Sequence, residues 1–189
     1  VTFVPVANVA GAGKGAFTFQ VRDNGGTLNG GVDLDQTAAN FAFTITNVND
    51  EPAGVAVAAR ALFEEVTHQF VAGDFALTDT NDSPANTLLS VKITTLPPAG
   101  EGFIKLSGTN ITAGDEFTVA QLANLTFVPV ANVVGTNKGA FTFQVRDNGG
   151  TLVGGVDLDQ TAANFAFTIT NVNDEPAGVA VAARALLEQ

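Results

Sequence analysis

A near-identical duplication constrains this chain more than any other feature of its sequence. Residues 1–65 (the first copy) recur as residues 125–189 (the second copy), with an offset of 124 residues, and only seven of the 65 aligned pairs differ. A period of this length is that of a whole domain and far exceeds the periods of solenoid and propeller repeats. Such near-identity predicts a long array, of which the chain would be a fragment.

The hexapeptide NVNDEP, which occurs in both copies, provides the predicted unit boundary. Residues 1–52 would then be the C-terminal part of a preceding unit, and residues 53–176 would be one complete unit. Residues 177–189 would form the first strand of the following unit.

Alternating apolar and polar residues predict short β-strands along the complete unit. In Phe141–Arg146 and in Phe165–Thr170, every second side chain is apolar, which gives each strand one core face and one polar face. Leu89, Val91 and Ile93 are expected to share one face of a further strand, and Ala53–Val66 is expected to be an edge strand. About seven such strands, with turn residues between them and no convincing helix, predict an all-β fold, an antiparallel β-sandwich.

Composition excludes several classes of function. The chain has no cysteine, so it forms neither disulfides nor thiolate metal sites. Its net charge of −11 argues against nucleic acid and anionic membranes as partners, and no apolar run is long enough for a membrane span. Catalytic motifs are missing too: the single histidine, His68, has no cysteine or second histidine to act with. We therefore expect a non-enzyme without membrane insertion.

Acidic turns are the remaining candidates for chemistry. One turn contains Asp79 and Asp82, the linker contains Asn49 and Asp50, and Asp147 ends a strand. If folding brought these groups together, they would repel one another unless a cation such as Ca²⁺, which takes six to eight oxygen ligands, lay between them. Alternatively, each cluster is a solvated turn, because Asp, Asn and Gly favour turns for backbone reasons. The loop Gly154–Asp159 is a weaker candidate of the same kind.

The order of these segments resembles a known family. The strand and turn FTFQVRDNGG, followed by NVNDEP, looks like the end of a cadherin-like domain, and Thr78–Asp82 resembles the acidic turn of that family. Phe63-Glu64-Glu65 is similar to the family's Pro-Glu-Asn motif. The whole unit resembles the cadherin-like tandem repeats of very large bacterial surface proteins and adhesins.

This resemblance implies structural Ca²⁺ at the junctions between units. The implied ligands are Asn49, Asp50, Asp79, Asn81, Asp82 and Asp147 at the first junction, Asn173 and Asp174 at the next, Asp23 in the preceding unit, and Glu64 at the lower end of its own unit. Asn47 and Glu51 depart from the family's linker, and its Asp-Arg-Glu triplet has no match. We therefore expect fewer ions at each junction than a full cadherin junction holds.

The resemblance implies a calcium-stiffened spacer in an adhesin stalk or extracellular filament, secreted or at the cell surface. Its partners would be neighbouring repeats of the same chain, like chains in a filament, or a cell-surface ligand. Two alternatives remain open: a glycan- or protein-binding module, and a fibre subunit joined by strand addition.

Overall fold

The structure, a computed structural model, describes residues 2–186, which form thirteen β-strands and one short α-helix. The first strands are β1 (Gly11–Phe19), β2 (Ala39–Ile45), β3 (Ala53–Gly54), β4 (Arg60–Phe63), β5 (His68–Gln69) and β6 (Leu77–Thr78). They are followed by β7 (Leu88–Ile93), β8 (Gly102–Leu106), β9 (Thr109–Asn110), β10 (Glu116–Thr118), helix α1 (Val119–Leu122), β11 (Leu125–Pro129), β12 (Gly135–Asp147) and β13 (Ala163–Thr170).

Two sheets make up the body of the protein, which is therefore all-β. One sheet has the strand order β10-β7-β12-β13-β4 and the other has the order β5-β11-β8-β9, while β1–β2 and β3–β6 form separate pairs. All pairs are antiparallel except one: β4 runs parallel to β13. The prediction of an antiparallel arrangement is wrong at this edge, where β4 pairs in parallel with β13, the last strand of the same sheet.

Phenylalanine side chains from both sheets meet in one core. The predicted strands Phe141–Arg146 and Phe165–Thr170 lie within β12 and β13, and their apolar positions are buried in strict alternation. The ring of Phe127 on β11 stacks on that of Phe167 on β13, with a centroid distance of 4.3 Å. Phenylalanine suits this core because its ring has no polar group that would need a buried partner.

Two details of the strand predictions are wrong. Leu89 does not share the buried face of Val91 and Ile93 but is largely exposed. The cause is a register shift: Arg146 lies opposite Ser90 and Asp147 lies opposite Leu88, so Leu89 is the extra residue of a β-bulge.

The predicted edge strand Ala53–Val66 is divided between two sheets. Its beginning, β3, pairs with β6, and its later part, β4, forms the edge of the five-stranded sheet. The edge position is therefore confirmed for β4, whereas the continuous strand is not.

The strands of the first copy pair in the same register as those of the second copy, but their apolar side chains are more exposed. Gly11 lies opposite Ile45 in β1–β2, as Gly135 lies opposite Ile169 in β12–β13. Phe41 is nevertheless 45% exposed, whereas its counterpart Phe165 is fully buried. Residues 177–186 form no strand, and the rest of the predicted strand, 187–189, lies outside the described residues.

Candidate metal centre

Three segments that are distant in sequence meet between the end of β2 and the beginning of β3. The linker follows β2, the acidic turn follows β6, and Asp147 is the last residue of β12. Asn49 in the linker donates its side-chain amide to Asp147 Oδ1 at 3.2 Å and to Val156 O at 2.7 Å. The Val156 N–H donates in turn to Asn49 O at 2.9 Å, so the linker is held through both side chain and main chain.

Asp82 attaches the acidic turn to the same linker. Its Oδ2 accepts the main-chain N–H of Asp50 at 3.0 Å, and its Oδ1 accepts the side-chain amide of Asn47. The side-chain amide of Asn86 donates to Asn49 Oδ1 and reaches Asp82 Oδ2 at 3.4 Å. The cluster therefore combines carboxylate and amide oxygens from both sides of the junction.

Two buried carboxylates of the cluster, Asp79 and Asp147, carry unfavourable charge. Asp79 is only 7% exposed; its Oδ2 accepts the Asn86 N–H at 2.6 Å, but its Oδ1 is buried without a hydrogen-bond partner. Burial raises the pKa of Asp79, and the nearby negative charge of Asp82 adds to this rise.

Asp147 is fully buried, and its pKa is affected by the same kinds of interaction as that of Asp79. Burial raises its pKa, and the charges of Asp79 and Asp157 act in the same direction. The Gly149 N–H, which donates to Asp147 Oδ1 at 2.8 Å, and the Asn49 amide oppose the rise only in part. A positive ion at this position would relieve both the burial cost and the mutual repulsion.

Glu64 forms a second unsatisfied acidic position, at the opposite end of the unit. Its side chain is buried, and Oε1 accepts the Val172 N–H at 2.7 Å, just where the second linker begins. Its Oε2 has no hydrogen-bond partner. That Glu64 serves a calcium site at the lower end of its own unit stays a prediction.

Four other predicted ligands, Asn81, Asp23, Asn173 and Asp174, make no hydrogen bond to the cluster within residues 2–186. Asn81 is exposed and has no hydrogen bond to the cluster among residues 2–186. Asp23 caps the Gly25 N–H within the first copy, and Asn173 and Asp174 are exposed. The sequence did not assign Asn47 and Asn86 as ligands. Asn86 follows the acidic turn closely enough to have been included, whereas Asn47 is recognisable only from its contact with Asp82.

The loop Gly154–Asp159 holds the linker and does not present free carboxylates. Asp159 Oδ2 accepts the Gly54 N–H at 2.7 Å, and its Oδ1 accepts the Thr161 N–H at 2.7 Å. Asp157 forms an ion pair with Arg146 at 2.5 Å. These carboxylates already have protein partners, and the loop holds the linker through the two hydrogen bonds between Val156 and Asn49.

The candidate site does not consist of acidic side chains alone. Within residues 2–186, no three or more His, Cys, Asp or Glu side chains are gathered tightly enough to hold an ion by themselves. Amide and main-chain oxygens would have to complete the coordination, which is ordinary for Ca²⁺.

The same part of the chain, residues 2–186, contains no helix with the length and apolarity needed to span a bilayer.

The fold and the junction define an all-β protein with an acidic cluster between two sequence copies. A comparison with protein-family models gives no match, and a comparison with curated proteins gives no significant match.

Proposed function

We propose that this chain is a structural, non-enzymatic part of a secreted or cell-surface repeat protein. Its Ig-like, cadherin-like β-sandwiches would follow one another in tandem and be stiffened by Ca²⁺ at each junction. The observation that carries the proposal is the buried Asp79 Oδ1, which has no partner although it lies beside two further carboxylates. An unsatisfied buried carboxylate is costly, and a cation would remove that cost.

The chemistry of the donor set fits a hard divalent cation. Asp79, Asp82 and Asp147 would supply carboxylate oxygens, and Asn49 and Asn86 carry amide oxygens at the same place. Ca²⁺ accepts mixed carboxylate, amide and carbonyl oxygens, whereas the set contains no thiolate or imidazole for a softer metal. When bound, the ion would supply positive charge shared between the linker and the unit that follows.

The mechanical consequence follows from where these groups are attached. Asn49 belongs to the linker, whereas Asp79 lies in the turn after β6 and Asp147 ends β12 in the following unit. A shared ion would cross-link all three, in addition to the hydrogen bonds between Asn49 and Val156. A linker fixed at several points transmits force and orientation between neighbours, which is what a stalk or filament spacer requires.

Calcium titration of the metal-free 189-residue chain tests this proposal. We expect isothermal titration calorimetry to show saturable Ca²⁺ binding, and addition of Ca²⁺ to raise the melting temperature by mass action on the folded state. Asp79→Asn should abolish most of both effects. If Ca²⁺ neither binds nor changes the melting temperature, the stiffened-spacer proposal is wrong.

Self-assembly is a second candidate, favoured by the exposed apolar residues of β1–β2. Phe17 and Phe41 are about half exposed there, whereas their counterparts Phe141 and Phe165 are buried. Strands from another molecule could cover this hairpin, as strands of the same unit cover β12–β13. Sedimentation velocity over a range of concentrations distinguishes the candidates: growing polymers in the absence of Ca²⁺ would favour a fibre, and a constant monomer would exclude it.

A further inference from the structure

Strands β4 and β13 lie side by side and run in the same direction, although they come from opposite ends of the unit's sequence. Their residues are in register from Arg60 opposite Phe167 to Phe63 opposite Thr170. The contact continues past the strand ends, where the Glu64 N–H donates to Thr170 O at 3.0 Å. The pair therefore joins the beginning of the unit to its end.

The two linkers leave the unit from opposite ends of this pair. The preceding linker lies at the upper end, because Asn49 contacts Asp147, the last residue of β12, and β12 runs antiparallel to β13. The following linker begins at the lower end, directly after β13, where the Val172 N–H donates to Glu64 Oε1 at 2.7 Å. Tension between the linkers therefore pulls β4 upward by its beginning and β13 downward by its end.

Such tension would slide the two strands past each other along their length. The hydrogen bonds of a parallel ladder are evenly spaced, so a sliding displacement stretches all of them by the same amount and they share the load. A force that separates the strands at one end loads the bonds one after another instead. The direction of pairing therefore decides how many bonds must break together.

Further contacts tie β4 to the body of the unit. At its beginning, Arg60 forms an ion pair with Asp74 at 2.8 Å, and Asp74 is buried in the segment that follows β5 of the other sheet. Near its end, the side chain of Leu62 is buried in the phenylalanine core. These contacts resist a tilt of β4 away from β13, which would turn sliding into peeling.

We propose that the β4–β13 pair carries the tension that passes through a unit and sets the rate at which the unit opens under load. The inference rests on the proposed function only in that tension must run along the chain, and it needs no bound ion. Strands β9 and β10, at the far edges of the two sheets, are attached to neither linker. They would separate only after the β4–β13 pair has failed.

Single-molecule pulling of the 189-residue chain in two directions tests the proposal. The chain has no cysteine, so two introduced cysteines fix where the force enters. Ala58→Cys with Glu175→Cys pulls along the pair, and Thr67→Cys with Glu175→Cys pulls the two strands apart at their lower end. All three positions are exposed, and Ala58 follows the linker, so the Asn49 cluster is not loaded. A chelator is present throughout.

We expect opening at the same force to be at least about a hundredfold slower along the pair than across it, because several hydrogen bonds of ordinary net strength must break together. Equal rates, or slower opening across the pair, would overturn the proposal. The result is independent of calcium. A chain that shows this difference but binds no Ca²⁺ would contradict the calcium-stiffened junction alone, and the reverse outcome would contradict the load-bearing pair alone.

The variants Leu62→Ala and Leu122→Ala locate the resistance. Both remove a buried leucine of the core, one in β4 and the other in helix α1, and urea unfolding establishes how much stability each costs. At a fixed force along the pair, Leu62→Ala should raise the opening rate by about tenfold or more. Leu122→Ala should raise it by less than about threefold, because its contacts persist until the pair has failed.

Equal increases in the two variants, or a larger increase in Leu122→Ala, would overturn the proposal. If either variant does not fold, the comparison of the two pulling directions decides by itself, because it changes only exposed residues.

Discussion

The side-chain amide of Asn49 lies 3.2 Å from Asp147 Oδ1, although 98 residues separate them in the chain. Asn49 lies in the linker after β2, within the first copy, and Asp147 ends a central strand of the next unit. This contact joins two sequence copies through a carboxylate that is otherwise poorly compensated. The matched copies also provide controls, because many residues of the junction have a counterpart with the same local sequence.

Asp147→Asn should weaken Ca²⁺ binding strongly, because it removes a fully buried carboxylate from the cluster. Asp23→Asn is the matched control: Asp23 has the same local sequence but caps only its own turn among the described residues. Calorimetric titration of both variants measures the difference. Equal affinities in the two variants would show that the ion, if bound, does not use Asp147.

Gly149→Ala should displace the linker, because a Cβ at this position would collide with the Asn49 side-chain amide. The matched Gly25→Ala places its Cβ 3.2 Å from Asp23 Oδ1, a close contact that a small side-chain movement relieves. We expect the first variant alone to lose hydrogen-exchange protection at the Val156 and Asp50 amides. Unchanged protection in Gly149→Ala would mean that Asn49 is not fixed in this position.

Asp74 should make the protein sensitive to acid. Burial by itself would raise its pKa, but hydrogen bonds from His68 and the Val71 N–H, together with the charge of Arg60, outweigh burial and lower the pKa below its usual value. A carboxylate with a lowered folded pKa contributes stability above its unfolded pKa and loses it as the pH falls through the folded value.

Urea unfolding between neutral pH and about pH 3, just below the usual aspartate pKa, measures this contribution. The contribution of Asp74 should be lost towards the acid end of this range, so the stability of Asp74→Asn should fall less with pH than that of the wild type and be lower at neutral pH. Parallel pH profiles for the two proteins would contradict the assignment.

Phe165→Ala should destabilise the protein by about 3–5 kcal/mol, the usual cost of removing a fully buried phenylalanine side chain. The matched Phe41→Ala should cost clearly less, because Phe41 is 45% exposed. Thermal and urea unfolding of both variants provide the comparison. Similar losses would indicate that the first copy is covered in solution, which would support self-association.

Much of the fold could be predicted from local patterns. Alternation located β12 and β13 correctly because each has one buried face. Leu89 was misplaced because a β-bulge depends on the partner strand, which the strand's own sequence does not specify. The break between β3 and β4 was missed because it depends on which sheet offers a free edge.

The candidate site was predicted in outline. The acidic turn, the linker and the end of β12 were each recognised by composition, and the structure brings Asp79, Asp82, Asp147 and Asn49 together. That Ca²⁺ binds there stays a prediction. The roles of Asn47 and Asp159 could not be predicted, because their hydrogen bonds reach across 35 and 105 residues of sequence.

The sequence by itself determined the 124-residue duplication, the strand-forming alternation and the acidic character of the turns. Only the tertiary structure decided which residues are buried and which carboxylates meet. Residues 31–62 and 155–186 are identical in sequence, yet Phe41 is about half exposed and Phe165 is fully buried. The physical reason is that burial depends on the surfaces packed against a residue, and within the described chain only the second copy packs against the strands that cover it.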